Sequence, residues 1–148
     1  MASIDQIKQL RAATGISVVE CQKALRNSGG DLEKAKEILK KWGKEFAKTR
    51  LEREVKQGII DSYIHSGKKV GVMIELRCET DFVAKSDDFK NLSHELCLQI
   101  AAISPDGMPL FSQPWIKDQT KTIKDLIDGC IAKLGENIVL EKFIRYEL

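Results

Sequence analysis

The chain has 148 residues, 43% apolar and 31% charged, the balance of a globular protein with one ordinary domain or a small module joined to a compact core. Its 24 basic and 22 acidic side chains leave a formal charge of +2, which gives no basis for the strongly basic face of a dedicated nucleic-acid binder. No apolar run approaches the ~18 residues that span a bilayer, and "MASIDQIKQL" lacks the basic-then-apolar order of a secretion signal, so a cytoplasmic protein without membrane contact is expected.

The first forty-odd residues predict three short helices. "SIDQ" (Ser3 to Gln6) is a capping box, and Ile4, Ile7 and Leu10 follow on one face. Thr14-Gly15 ends that helix. "SVVE" (Ser17 to Glu20) is a second capping box, with Val18, Cys21 and Leu25 as the inner stripe, and Gly29-Gly30 stops it. Asp31 caps a third helix carrying Leu32, Ala35, Ile38, Leu39 and Trp42. This bundle occupies residues 1–43. Residues 44–57, charged and poor in large apolar side chains, predict a solvated connecting helix.

From Gly58 the period changes from helical to two. "GIIDSYIH" (Gly58 to His65) sets Ile60 and Ile64 against Ile59 and Tyr63. "SGKK" turns the chain, and Val70, Val72, Ile74, Leu76 and Cys78 then share one side of a second strand, so the pair predicts a hairpin. Phe89, Leu92, Leu96, Ile100 and Ile103 mark a helix from Ser86 to Ile103. "SPDGMPLFSQP" is a loop holding all three prolines. Thr122 caps another helix with Asp125 at its third position, and Gly135 ends it. "ENIVLEKFIRYEL" closes the chain as a strand with Ile138, Leu140, Ile144, Tyr146 and Leu148 on one face, broken by Lys142, which predicts a place at a sheet edge. The fold class is therefore α+β: a three-helix bundle, a linker helix, and at 58–148 an antiparallel sheet of about three strands covered by helices.

Chemistry of an enzymatic kind has no foothold. "HELCL" (His94 to Leu98) places Leu98 where a second zinc ligand must stand, and Cys97 is the one other ligand type close by. "SGKK" lacks the flanking glycine and hydroxyl of a phosphate loop. Asp87-Asp88 is explained by helix capping. Cys21, Cys78, Cys97 and Cys130 are widely spaced among apolar neighbours and read as small hydrophobes. No catalytic residue, metal site or cofactor is expected.

What remains is "CETDFVAKSDDF", Cys78 to Phe89. An aromatic residue follows an acid where a strand leaves the sheet. Either Phe82 folds back into its own core with Asp81 capping a turn, or it projects as an anchor whose pocket lies on another protein.

"ETDFVA" (Glu79 to Ala84) directly after a strand resembles the signature segment of the elongation factor Ts family. "LRAATGISVVECQKAL" (Leu10 to Leu25) and "GGDLEKAKEIL" (Gly29 to Leu39) are similar to that family's N-terminal ubiquitin-associated-type three-helix domain. "HELCLQIAA" (His94 to Ala102) and "AKLGENIVLEKFIRYEL" (Ala132 to Leu148) resemble its later blocks. The resemblance implies a guanine-nucleotide exchange factor of translation that binds elongation factor Tu, GDP-bound and nucleotide-free, and that is no enzyme itself. It implies that Thr80, Asp81, Phe82 and Val83 disturb the magnesium site of that GTPase, and that Arg11, Val18 and Val19 dock the N-terminal domain. It also implies a core of dimerisation type at 58–148. The join between "QIAA" and "QPWIKD" is short for the family, which leaves open whether two copies associate. A ubiquitin-associated-type binding adaptor is the alternative.

Overall fold

A computed structural model describes residues 2–148. Three helices come first: α1 (Ile4–Thr14), α2 (Val18–Asn27) and α3 (Leu32–Arg50). Each begins where a side chain satisfies backbone amides that have no helical partner. Ser3 Oγ accepts from the Gln6 amide and the Gln6 side chain accepts from the Ser3 amide, both at 3.1 Å. Asp31 accepts from the Lys34 amide at 3.0 Å. Ser17 accepts from the Glu20 amide at 3.3 Å, but the Glu20 carboxylate meets the Ser17 hydroxyl rather than its amide, so the second box is half formed. Leu10, Cys21, Ala24, Leu25, Ala35 and Leu39 close a small core. Ile4 does not join it. It sits in the first turn of α1, clear of the other helices, and is 71% exposed.

The expected break at residue 43 is absent from the backbone. One helix, α3, runs through Gly43 to Arg50, so the residues expected to form a separate connecting helix divide into the end of α3 and an irregular segment from 51 to 56. At 19 residues α3 is about 28 Å long, and it serves two cores. Leu39 belongs to the bundle, whereas Ala47, two turns on, is buried in the second core. Gly43 permits this double duty, because a Cβ there would stand 3.3 Å from the Cβ of Ala132 in the facing helix.

The second core is built on a three-stranded antiparallel sheet in the order β1 (Gln57–Ile64), β2 (Val70–Cys78), β5 (Ile138–Glu147). Val72, Ile74, Leu76 and Cys78 face inward and are buried, as their alternation requires. Gly58 is demanded by close approach, since a Cβ would stand 2.2 Å from the Leu76 carbonyl oxygen. Helix α5 (Asp87–Ala102) lies across β1 and β2, and α6 (Ile123–Leu134) packs between α5 and α3. The loop with the prolines holds more order than its composition announces. A 3₁₀ turn (Leu110–Ser112) leads into a ribbon of β3 (Pro114–Trp115) and β4 (Asp118–Thr122). Buried Gln99 fastens the ribbon to α5, donating to Gln113 and to the Pro114 carbonyl and accepting from the Ile116 amide, each at 3.0 Å.

The last strand departs from its expected face. Leu140 pairs with Leu76 and Lys142 with Glu75, so Glu141 is an extra, unpaired residue: a β-bulge. Beyond it the sides are reversed. Phe143 and Arg145 pair with the inward Ile74 and Val72, while Ile144 and Tyr146 pair with Met73 and Gly71 on the outer face. Lys142 interrupts the expected apolar face because the strand changes sides there, and β5 is an edge strand. Arg145, turned inward, donates from Nε to the Ile100 carbonyl at 2.8 Å and from a terminal nitrogen to the Ala101 carbonyl at 3.1 Å, closing the C-terminal end of α5. No helix among the described residues is long and apolar enough to cross a membrane.

Candidate protein-docking site

The turn after β2 is one short helix, α4 (Asp81–Ala84), with Thr80 as its N-cap. A single turn brings residues 81 and 82 outward and 83 and 84 inward. Val83 and Ala84 are buried in the second core, so Val83, expected among the contact residues, packs inside and anchors the turn from below. Phe82 stands at the other extreme. It is 87% exposed, the larger part of its ring surface wetted, so the ring does not fold back into its own core. Asp81 is also exposed, 3.4 Å from the Lys85 ammonium across one helical turn. Such a solvated pair is weak and can exchange partners at little cost.

Before the exposed pair, Thr80 is held by several hydrogen bonds. Thr80 Oγ accepts from the Val83 amide at 3.3 Å and donates to Glu136 at 2.7 Å. The Thr80 amide donates to the same carboxylate at 3.0 Å, and the Thr80 carbonyl accepts from the Ala84 amide at 3.2 Å and from the Cys78 thiol at 3.1 Å. The threonine is exposed, but its polar atoms are bonded within its own molecule. Sequence reasoning missed Glu136 because 56 residues separate it from Thr80. The one available signal was the acidic residue directly after the helix-stopping Gly135.

Arg11 in the last turn of α1 and Val18 and Val19 at the start of α2 flank the turn between the two helices. Arg11 is exposed in the last turn of α1, whose C-terminal carbonyl of Arg11 is taken by the amide of the left-handed Gly15. Val18 and Val19 open α2 at 47% and 60% exposure, so Val18 is not part of the inner stripe expected for it. This corner is tied to the second core through Lys133. Its stem lies so close to Gly15 that a Cβ there would come within 2.6 Å of Lys133 Cε, while its ammonium pairs with Asp88 at 2.9 Å, near the start of α5. A second tie joins α3 to α6. Asp125 is paired with Lys44 at 3.0 Å and Lys40 at 3.4 Å. Burial pushes its carboxyl up, but the Thr122 amide and the two ammonium groups outweigh it and hold the pKa down at about 2.

The remaining titratable groups carry structure. His94 is exposed and edge-on to Tyr63, while Cys97, three residues along α5, is buried, so the two do not converge. Among the described residues no three His, Cys, Asp or Glu side chains are placed to share a metal ion. The cysteines are free thiols, and burial pushes Cys78 up to about 11 and Cys97 and Cys130 up to about 12, with Cys21 raised by the same cause. What the arrangement offers is exposed surface. It presents a rigidly mounted aromatic ring beside an acid, and an apolar pair with a cation at a second corner.

Residues 79–148 match the family described as Elongation factor TS. Over nearly its whole length the chain is 41% identical to Elongation factor Ts of Coprothermobacter proteolyticus, an alignment of 192 positions covering 99% of this chain and 98% of that protein. It is 37% identical to Elongation factor Ts of Thermoanaerobacter sp. and of Thermotoga maritima, covering 99% of this chain and 95% and 96% of theirs. These alignments exceed the length of the chain, so the relatives carry residues that have no counterpart in it.

Proposed function

Because the chain belongs to the elongation factor Ts family of translation elongation factors, we propose that it is a guanine-nucleotide exchange factor, which binds GDP-loaded elongation factor Tu, perturbs its magnesium site and releases the nucleotide. The observation that carries this reading is Phe82, 87% exposed on a turn whose N-cap, Thr80, is hydrogen-bonded to Glu136 of the same chain. An aromatic ring left in water beside an exposed carboxylate is arranged for a groove on a partner.

GDP in such a GTPase is held by a phosphate cradle and by magnesium, the largest local charge in the site. An exchange factor has to bind the empty, rearranged GTPase better than the loaded one, and the coupling is reciprocal. A ten-thousandfold shift asks for about 5.5 kcal/mol of differential binding. Phe82 entering a groove that opens when magnesium leaves supplies part of it, with Asp81 as the charged neighbour. Thr80 and Val83 act from beneath, one as cap and one as packed base. Arg11, Val18 and Val19 supply a second point of attachment, so that the ring is delivered in one orientation. In this division of labour residues 1–43 dock, the segment 44–57 connects and 58–148 carries the wedge. The protein turns over no substrate, touches no nucleic acid and works in the cytoplasm.

The test is release of a fluorescent GDP analogue from elongation factor Tu. Adding the chain at substoichiometric concentration should accelerate release many-fold, with each molecule acting repeatedly. A release trace unchanged by the chain refutes the proposal.

A further inference from the structure

The Phe82 turn hangs from a carboxylate that lies far from it in the chain. Glu136 Oε1 accepts from the Glu79 amide at 3.1 Å and from the Thr80 amide at 3.0 Å, and its Oε2 accepts from the Thr80 hydroxyl at 2.7 Å. All three donors are neutral and all three belong to the two residues before α4. A carboxylate that accepts from two successive amides fixes the peptide plane between them, since both N–H groups must point at one oxygen. That plane sets the direction in which the helical turn leaves the strand, and hence where residue 82 points.

Glu136 is itself held. Its neighbour Asn137 is 1% exposed and donates from Nδ2 to the Arg53 carbonyl at 2.9 Å and the Leu51 carbonyl at 3.4 Å. The Asn137 amide donates to Glu79 Oε1 at 2.8 Å, and Glu79 Oε2 lies 3.6 Å from the Arg53 guanidinium. The bonds therefore cross in both directions: Glu79 and Thr80 donate to residue 136, and residue 137 donates back to Glu79. A reciprocal clamp of this kind leaves neither segment free to shift alone, and it also grips the segment just after α3. Local capping by Thr80 needs only its hydroxyl and the Val83 amide. The clamp is additional to it, and the buried side chains of the second core, from the sheet, α5 and α6, do not include Glu136.

We propose that Glu136, braced by Asn137, is a positioning residue that locks the Glu79-Thr80 peptide so that Phe82 is presented outward in one direction. The inference rests on the exchange reading for its consequence, although the clamp itself can be measured without a partner. Without Glu136 the turn samples several directions, and only a fraction of molecules offers the ring correctly.

The experiment compares Glu136→Ala, Glu136→Gln, Phe82→Ala and the double variant Glu136→Ala/Phe82→Ala. In the free protein, amide hydrogen exchange at residues 79 and 80 should quicken at least about tenfold in Glu136→Ala, with the amides of β2 from Val72 to Leu76 unchanged. GDP release from elongation factor Tu should slow about tenfold in Glu136→Ala, and the same substitution should add nothing in the Phe82→Ala background. Glu136→Gln keeps an oxygen for the two amides and should recover most of the loss. It also supplies both readouts if Glu136→Ala does not fold, with a slowing of two- to threefold expected. Unchanged protection at residues 79 and 80 overturns the proposal. So does an equal slowing by Glu136→Ala in the wild-type and Phe82→Ala backgrounds, which would mean that Glu136 acts elsewhere. If Phe82→Ala leaves release untouched, the wedge role of Phe82 fails instead, and the amide protection alone then decides the clamp.

Discussion

Truncating Phe82 to alanine separates binding from folding more cleanly than any other single change in this chain. The ring is 87% exposed, so it contributes almost nothing to the free protein, and the thermal midpoint should move by no more than the effect of an ordinary surface substitution, about 0.5 kcal/mol. Complete burial of a phenylalanine side chain is worth about 1.5–3 kcal/mol, and nearly all of that is still unrealised in the free molecule. If a groove on the nucleotide-free GTPase takes the ring, its loss should weaken that complex by about 10- to 150-fold while leaving affinity for the GDP-bound form much less affected. The factor's advantage for the empty state shrinks by the same ratio, and stimulated GDP release slows accordingly. Two measurements suffice: release of a fluorescent GDP analogue at fixed factor concentration, and a calorimetric melt of the variant. Wild-type release by a folded Phe82→Ala chain would refute the reasoning. A large drop in the melting temperature would do so too, because it would mean that the ring is packed in solution.

Three further changes probe the scaffold. Asp125→Asn removes the charge that joins α3 to α6. The folded pKa is depressed to about 2, so the ionised form contributes stability above the unfolded value near 4 and loses it as the pH falls through 2; allowing for screening at the half-exposed lysines, the variant should be about 1–2 kcal/mol less stable at pH 7, with a gap that closes on acidification, and a gap constant with pH in urea titrations would contradict this. Gly58→Ala forces a Cβ to within 2.2 Å of the Leu76 carbonyl oxygen and should cost about 3 kcal/mol, lowering the melting temperature by roughly 10 °C, unless β1 is free to move away from β2. Arg145→Ala leaves the Ile100 and Ala101 carbonyls without their charged donor and should cost about 2 kcal/mol in a denaturant titration, with amide exchange quickening at the end of α5 first.

Those features that rest on neighbours in the chain were open to sequence reasoning. The capping residues Ser3, Asp31 and Thr122 and the left-handed glycines at 15 and 135 act within three or four positions of themselves, and the alternation of β2 shows directly because both its neighbours enforce it. What stayed hidden depends on distant partners. The reversal in β5 comes from its pairing with β2, some 65 residues earlier in the chain, and nothing in "LEKF" displays it except a lysine out of place. The unbroken course of α3 past Gly43 follows from packing against Ala132, whereas the charge of residues 44–50 suggested solvent on all sides. For the candidate site, Asp81 and Phe82 were visible as an anomaly of composition. Val83 was not separable from them, since which side of one helical turn faces inward is a matter of tertiary packing. Glu136 was visible only as the first residue after a helix stop.

The bulge in β5 has a bearing on the lengths the strand can tolerate. With Glu141 removed, Leu140 and Lys142 would become neighbours yet keep their present partners, Leu76 and Glu75, so position 141 is a spare link whose deletion should leave every other cross-strand pair in place. A one-residue deletion between 142 and 144 that left the bulge in place would instead move Arg145 by one register, swing its guanidinium to the far side of the sheet and strand the carbonyls it serves, so such a deletion is tolerated only by using up the spare link at 141.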